Sequence, residues 1–162
     1  MRFRMEQNYA ADADAVAAAY AHPLLYESFA DLPRAGKPEV VRHQPEGNLV
    51  HLDVRWRFTA PLSSAARAVI DPGRLTWVQR SVHDLAARKV TYEMVADHYA
   101  DRFHCEGSYR FEATPEGTKR TSEGDLRIKA PLIARTVENA VIDGLKEQLA
   151  AEVPIVERFV KG

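Results

Sequence analysis

From Ala134 to Lys161 the apolar positions fall into one stripe. Ile133, Val137, Val141, Leu145, Leu149, Val156 and Phe159 keep largely to three- and four-residue spacing, while Arg135, Glu138, Asp143, Lys146 and Glu157 lie elsewhere. That period predicts an amphipathic helix whose stripe is buried. At 1.5 Å per residue it is about 40 Å long, more than a flat sheet of short strands covers, so the sheet is expected to curl around it. A curled sheet beneath a helix encloses a pocket.

The preceding chain alternates with a period of two. Arg2 to Tyr9 sets Phe3, Met5 and Tyr9 against Arg2, Arg4, Glu6 and Asn8, a strand with one covered face. Two short helices follow: Asp12 caps an alanine-rich stretch ending near Tyr20, and Pro23 suits the first turn of a second helix running to about Ala30. Pro33 and Gly36 close the pair. Six strands come next, over Lys37 to Pro45, Asn48 to Thr59, Arg74 to His83, Arg88 to Ala96, Arg102 to Ala113 and Thr118 to Ala130. The segment Ala60 to Pro72 interrupts them; Ser63 or Ser64 can cap a short helical turn there, with Leu62, Val69 and Ile70 as its apolar side. Pro154 removes a bond to the Ala150 carbonyl, so the last helix is expected to kink or break there and its final turn to swing away.

Turns set the register. A hairpin at Thr114-Pro115-Glu116-Gly117 pairs Ala113 with Thr118 and brings Gly107 opposite Gly124, on the face carrying Phe103, Cys105, Tyr109 and Phe111. Facing glycines mark a crease. Counting back through tight connections at Asp97 to Ala100 and Asp84 to Ala87 places Val90, Tyr92 and Met94, then Trp77, Gln79 and Ser81, on the same face. Across Glu46-Gly47, Val50, Leu52, Val54, Trp56 and Phe58 point inward and His51, Asp53, Arg55 and Arg57 outward.

Composition narrows the function. The 162 residues are 46% hydrophobic and 28% charged, the size and balance of one globular domain spanning the chain. A net charge of -1 with interspersed signs supplies no broad field for a phosphate backbone, so nucleic acid is not an expected partner. No stretch is long and apolar enough for a transmembrane segment, and the start, Met1-Arg2-Phe3-Arg4-Met5-Glu6, does not build a signal peptide, which makes the cytoplasm the expected location. One cysteine, Cys105, excludes an intramolecular disulfide.

The order strand, two small helices, six-stranded meander and long final helix resembles the helix-grip fold of the SRPBCC superfamily, which includes START lipid-transfer domains and polyketide cyclases. Within it, Met1-Arg2-Phe3, Thr76-Trp77-Val78-Gln79, Glu116-Gly117-Thr118, and Glu123-Gly124-Asp125-Leu126 leading to Ala130-Pro131-Leu132-Ile133 are similar to a bacterial branch, the domain-of-unknown-function family DUF2505. The resemblance implies an α+β fold, β-α-α-β6-α, with a curved antiparallel sheet of about seven strands wrapped around the C-terminal helix. It also places the Ala60 to Pro72 segment near the cavity mouth, as a gate or as a loop packed on the sheet. These motifs are structural and transfer no catalytic residue.

The inward rows supply candidate ligand-binding residues: Trp56, Phe58, Trp77, Gln79, Tyr92, Phe103, Cys105, Tyr109, Arg120, Ser122 and, from the helix, Leu145. Gln79, Tyr92 and Cys105 are expected in one cross-strand row, with Arg88, Tyr109, Ser122, Arg120 and His83 toward one end. Arg120 is the sharpest anomaly, because an inward charge must be paired or solvated. It reads either as an anchor for a ligand oxygen or as an end-of-strand arginine that reaches out to water or pairs with a helix acid such as Glu152, the second being the more common arrangement. The six histidines lack metal-ligand spacing, no phosphate loop or nucleophile elbow is present, and Cys105 has no histidine on its row. No metal, cofactor or catalytic group is therefore expected. The favoured expectation is binding of a small hydrophobic or amphipathic molecule of lipid, isoprenoid or polyketide type. A cyclase-like enzyme working by positioning, and a protein-interaction module with an exposed apolar patch, are the alternatives. The sequence says nothing of oligomeric state.

Overall fold

A computed structural model describes residues 1–162. Its strands are β1 (Arg2–Tyr9), β2 (Glu39–Glu46), β3 (Leu49–Arg57), β4 (Thr76–Asp84), β5 (Lys89–Ala96), β6 (Phe103–Thr114) and β7 (Gly117–Ile128). They form one antiparallel sheet in the order β1-β7-β6-β5-β4-β3-β2, so only the first strand leaves chain order, crossing to pair with β7. The helices are α1 (Ala13–Tyr20), α2 (Pro23–Glu27), α3 (Ser64–Arg67) and α4 (Ala134–Lys161). This is the α+β helix-grip arrangement.

Local chemistry explains the helix starts. The Asp12 carboxylate accepts from the Ala15 N–H at 2.9 Å, and Ser63 Oγ from the Ala66 N–H at 3.2 Å. Pro23 follows His22, whose Nδ1 accepts from the Leu24 N–H at 3.2 Å. Helix α2 stops three residues short of Ala30, because the Ser28 and Phe29 N–H groups bond to Leu25 and Tyr26 in tighter turns.

The expected kink and outward swing at Pro154 do not occur. Helix α4 runs unbroken to Lys161, Val156 is fully buried, and Phe159 and Val160 pack on the main core. Both Ala150 and Pro154 face solvent, where water can take the freed carbonyl while the inner face keeps its contacts.

Register on the crease is as expected: Ala113 pairs with Thr118 and Gly107 with Gly124. The rows further out are displaced by two residues. Gln79 pairs with Met94, which pairs with Cys105, whereas Tyr92 lies one rung on, between Ser81 and Gly107. Gln79, Tyr92 and Cys105 therefore do not share a row. The β4–β5 loop keeps its four residues but sits one position later, at 85–88, and the β5–β6 loop has six residues, 97–102, instead of four. Each contains a left-handed residue, Arg88 at φ 52° and Tyr99 at φ 59°. Because both slips are even, every side chain keeps its face.

The core is unevenly filled. A cluster of 18 buried residues joins α1, α2 and the end of α4 to the sheet, while only six, including Phe3, Met5, Leu126 and Ile142, pack beneath the middle of α4. Ile133, just before α4, and Val137, Val141 and Leu145 on its first half are only half-buried, and they face a void.

Candidate functional site: a cavity between sheet and helix

The void is a cavity of about 340 Å³, lined mostly by apolar side chains of the sheet's inner face and of α4. All eleven candidate residues lie on its wall: Trp56, Phe58, Trp77, Gln79, Tyr92, Phe103, Cys105, Tyr109, Arg120, Ser122 and Leu145. Strand alternation puts ten of them there, and helical periodicity the eleventh. At one end the wall is built by Leu62 and Val69 around α3, by His98 and Tyr99 of the β5–β6 loop, and by Pro131 and Ile133 before α4. A hydrogen bond of 3.1 Å from the Asp71 N–H to the Tyr99 hydroxyl joins the first two of these segments.

The polar end is closed by an ion pair. Arg120 on β7 donates from Nη1 to Glu152 Oε2 at 3.1 Å and to the Tyr20 hydroxyl at 2.9 Å, and both charged side chains are 6% exposed. Tyr20 donates its proton to Glu152 at 2.9 Å, so Tyr9, 2.9 Å away, is the donor to Tyr20. The guanidinium lies over Tyr109 and Tyr20, 4.1 and 4.5 Å from the ring centroids. Arg120 is thus the partner of a helix acid, the second of its two sequence readings. Burial alone would lower its pKa, but the oxygens of Tyr20, Tyr9 and Glu152 more than offset that, and it stays cationic.

A family model described as "Protein of unknown function (DUF2505)" matches residues 4–160. The chain belongs to the DUF2505 family. Comparison with curated protein sequences gives no match. Among solved structures, TTHA0849 from Thermus thermophilus is 17% identical with a TM-score of 0.70, covering 99% of this chain and 97% of its own. Zhui aromatase/cyclase from Streptomyces is 20% identical with a TM-score of 0.70, covering 99% and 95%. Norcoclaurine synthase from Thalictrum flavum, in complex with dopamine and hydroxybenzaldehyde, is 19% identical with a TM-score of 0.64, covering 99% and 86%. At these identities the likeness is one of fold.

In this DUF2505 protein two buried titratable groups, Cys105 and His83, are held neutral. Burial pushes the Cys105 thiol up to about 12, an inert form. Burial, then the Arg120 charge, lowers His83 to about 4. Ser81 Oγ donates to the Leu52 carbonyl at 2.7 Å, so His83 Nε2, 3.0 Å away, is the donor to Ser81. A serine so engaged is no nucleophile, and His83 does not line the cavity. Neither does Arg88, whose guanidinium is 3.8 Å from the exposed Asp14 carboxylate. No group of three or more His, Cys, Asp and Glu could hold a metal ion, and no helix is long and apolar enough to cross a membrane.

The sequence missed Tyr20, Tyr26 and Phe29, which reach the cavity wall from α1 and from around α2. Strand parity says nothing about how a helix is rotated. The only hint was their aromatic character beside an alanine-rich stretch.

Proposed function

We propose that this protein binds a small, largely apolar molecule in the cavity between sheet and α4. The observation that carries the reading is the half-buried stripe Ile133, Val137, Val141 and Leu145, which faces about 340 Å³ of unfilled space. An apolar stripe over a void forgoes packing contacts that a filled core would have, and an apolar ligand would restore them. The named aromatase/cyclase and the synthase solved with dopamine and hydroxybenzaldehyde support small-molecule binding on this fold by analogy. Lipid, isoprenoid and polyketide ligands all fit an apolar chamber, and the cytoplasm is where we place the protein.

A protein-interaction role receives less support, because the exposed large hydrophobic residues Leu24, Val41, Leu49, Val69 and Leu132 belong to five separate segments. A cyclase-like activity is the second reading. It draws on the phenols of Tyr92 and Tyr109 as groups able to polarise a carbonyl, and it predicts loss of turnover in Tyr109→Phe.

Both tryptophans of the chain, Trp56 and Trp77, line the cavity and report on its contents. Native mass spectrometry of protein from its own source should show a retained small mass that is lost on unfolding, and titration of the emptied protein with apolar molecules should change indole emission. Leu145→Trp, which narrows the chamber, should weaken that response. If no mass is retained and no apolar compound alters the emission up to its solubility limit, the proposal is wrong.

A further inference from the structure

Of the six tyrosines, four have hydroxyls engaged inside the protein: Tyr9 and Tyr20 with each other, Tyr26 with the Tyr20 carbonyl, and Tyr99 with the Asp71 N–H. Tyr92 and Tyr109 make no such bond, yet both line the cavity. They are diagonal neighbours on adjacent strands, since Tyr92 faces Gly107 and Tyr109 faces Val90, and their ring centroids are 6.0 Å apart with planes tilted by 40°. Burial raises both phenol pKa values well above the ordinary 10.0, so each keeps its proton.

Four further polar atoms of cavity-lining residues lack a partner. The indole N–H of Trp56, the indole N–H of Trp77, Nε of Arg120 and the Ser122 hydroxyl are buried without a partner, and all four residues line the cavity. Each can donate, and of the four only the Ser122 hydroxyl can also accept. At the buried end the charges cancel, because Arg120 is neutralised by Glu152. Arg74, Arg102 and Lys129 line the cavity only from its exposed rim, and Arg34 is paired with Glu147.

We infer that Tyr92 and Tyr109 form a two-donor subsite for a carbonyl-type oxygen, and that the cavity takes an uncharged, oxygen-bearing apolar molecule in preference to a hydrocarbon or a carboxylate. This rests on the cavity reading above and specifies its ligand class. A donor-rich wall rewards acceptors on the ligand, because each phenol buried against a hydrocarbon loses its bond to water with nothing in return. A carboxylate held beside the two phenols would be desolvated without a counter-charge. Gly107 is part of the device, since a Cβ there would lie 2.7 Å from the Tyr92 hydroxyl and displace it.

The test uses three probes on one skeleton: tetralin, α-tetralone and tetralin carboxylate, titrated calorimetrically into the full chain. α-Tetralone should bind about tenfold more tightly than tetralin, from one to two net hydrogen bonds, and the carboxylate should bind weakest. Tyr92→Phe and Tyr109→Phe should each reduce the ketone preference and the double variant abolish it, while tetralin binds no more weakly than to wild type because the desolvation cost of the hydroxyl is gone. An unchanged near-UV circular dichroism spectrum shows that the chamber is intact. Equal binding of tetralin and α-tetralone, tightest binding of the carboxylate, or an undiminished ketone preference in the double variant would overturn the subsite while leaving the cavity reading standing. Failure of all three probes to bind would overturn the subsite, and with no small mass retained by the native protein and no apolar compound altering its indole emission it would overturn the cavity reading as well.

Discussion

The Tyr92 hydroxyl lies where a side chain on Gly107 would have to go: a Cβ built on that glycine falls 2.7 Å from the phenol oxygen. Across the crease, a Cβ on Gly124 would fall 2.5 Å from the Phe3 ring. The glycine pair therefore clears room for two aromatic side chains to lie against the sheet.

Alanine at either position should be costly. At Gly107 the added carbon also meets the Glu123 carbonyl and, at 2.9 Å, the Gly124 Cα, so backbone has to move as well as a flexible tip. Urea unfolding of Gly107→Ala and Gly124→Ala should each show a loss of about 1–3 kcal/mol, and Gly107→Ala should in addition weaken ketone binding.

Much of this was legible beforehand, because a strand has only two faces. Parity fixes the face of Trp77, Gln79 and Tyr92 even when loop length is misjudged, which is why residues assigned to the wrong rungs still reached the cavity wall. Row identity needed the left-handed turns at Arg88 and Tyr99, and neither residue is a type that advertises positive φ. Glu152 was readable as a partner for Arg120, since both are inward charges. The place of Tyr20 between them was not, because it depends on how α1 is rotated over the sheet.

Breaking the buried ion pair should cost more than removing it. Glu152→Ala strands the Arg120 guanidinium, and equilibrium unfolding should register a loss of about 3–5 kcal/mol. Replacing both residues by leucine should recover most of that, since no uncompensated charge remains. A single variant no less stable than wild type would show that Arg120 finds another partner or reaches water.

Acid should weaken the fold through His83. Its folded pKa, about 4, lies below the ordinary 6.5, so between those values the unfolded chain binds a proton that the folded one refuses. The contribution is complete above pH 6.5 and is lost as pH falls toward 4, a change of roughly 3 kcal/mol. Stability of His83→Gln, measured against pH, should lack this slope.

Pro154 costs the helix a hydrogen bond and, being exposed, contributes no core packing. Pro154→Ala should restore the bond to the Ala150 carbonyl and raise stability by about 1–3 kcal/mol, read as an increase in Tm.

Cys105 offers a chemical readout of burial. With its pKa raised from 9.0 to about 12, the thiolate fraction near pH 8 falls by roughly a thousandfold. Iodoacetamide should accordingly label the native protein very slowly and the denatured protein at an ordinary rate.

The two unequal core clusters separate what keeps this molecule folded from what gives it capacity. Eighteen residues knit α1, α2 and the tail of α4 to the sheet, and although Tyr20, Tyr26, Phe29, Trp56 and Tyr109 among them also line the chamber, Gln79, Met94 and Leu145 stand on its wall outside both buried sets. Relatives can then exchange wall residues such as Gln79, Met94 or Leu145, retuning what is held at little risk to the scaffold, so diversity of cargo becomes a property that the architecture itself permits.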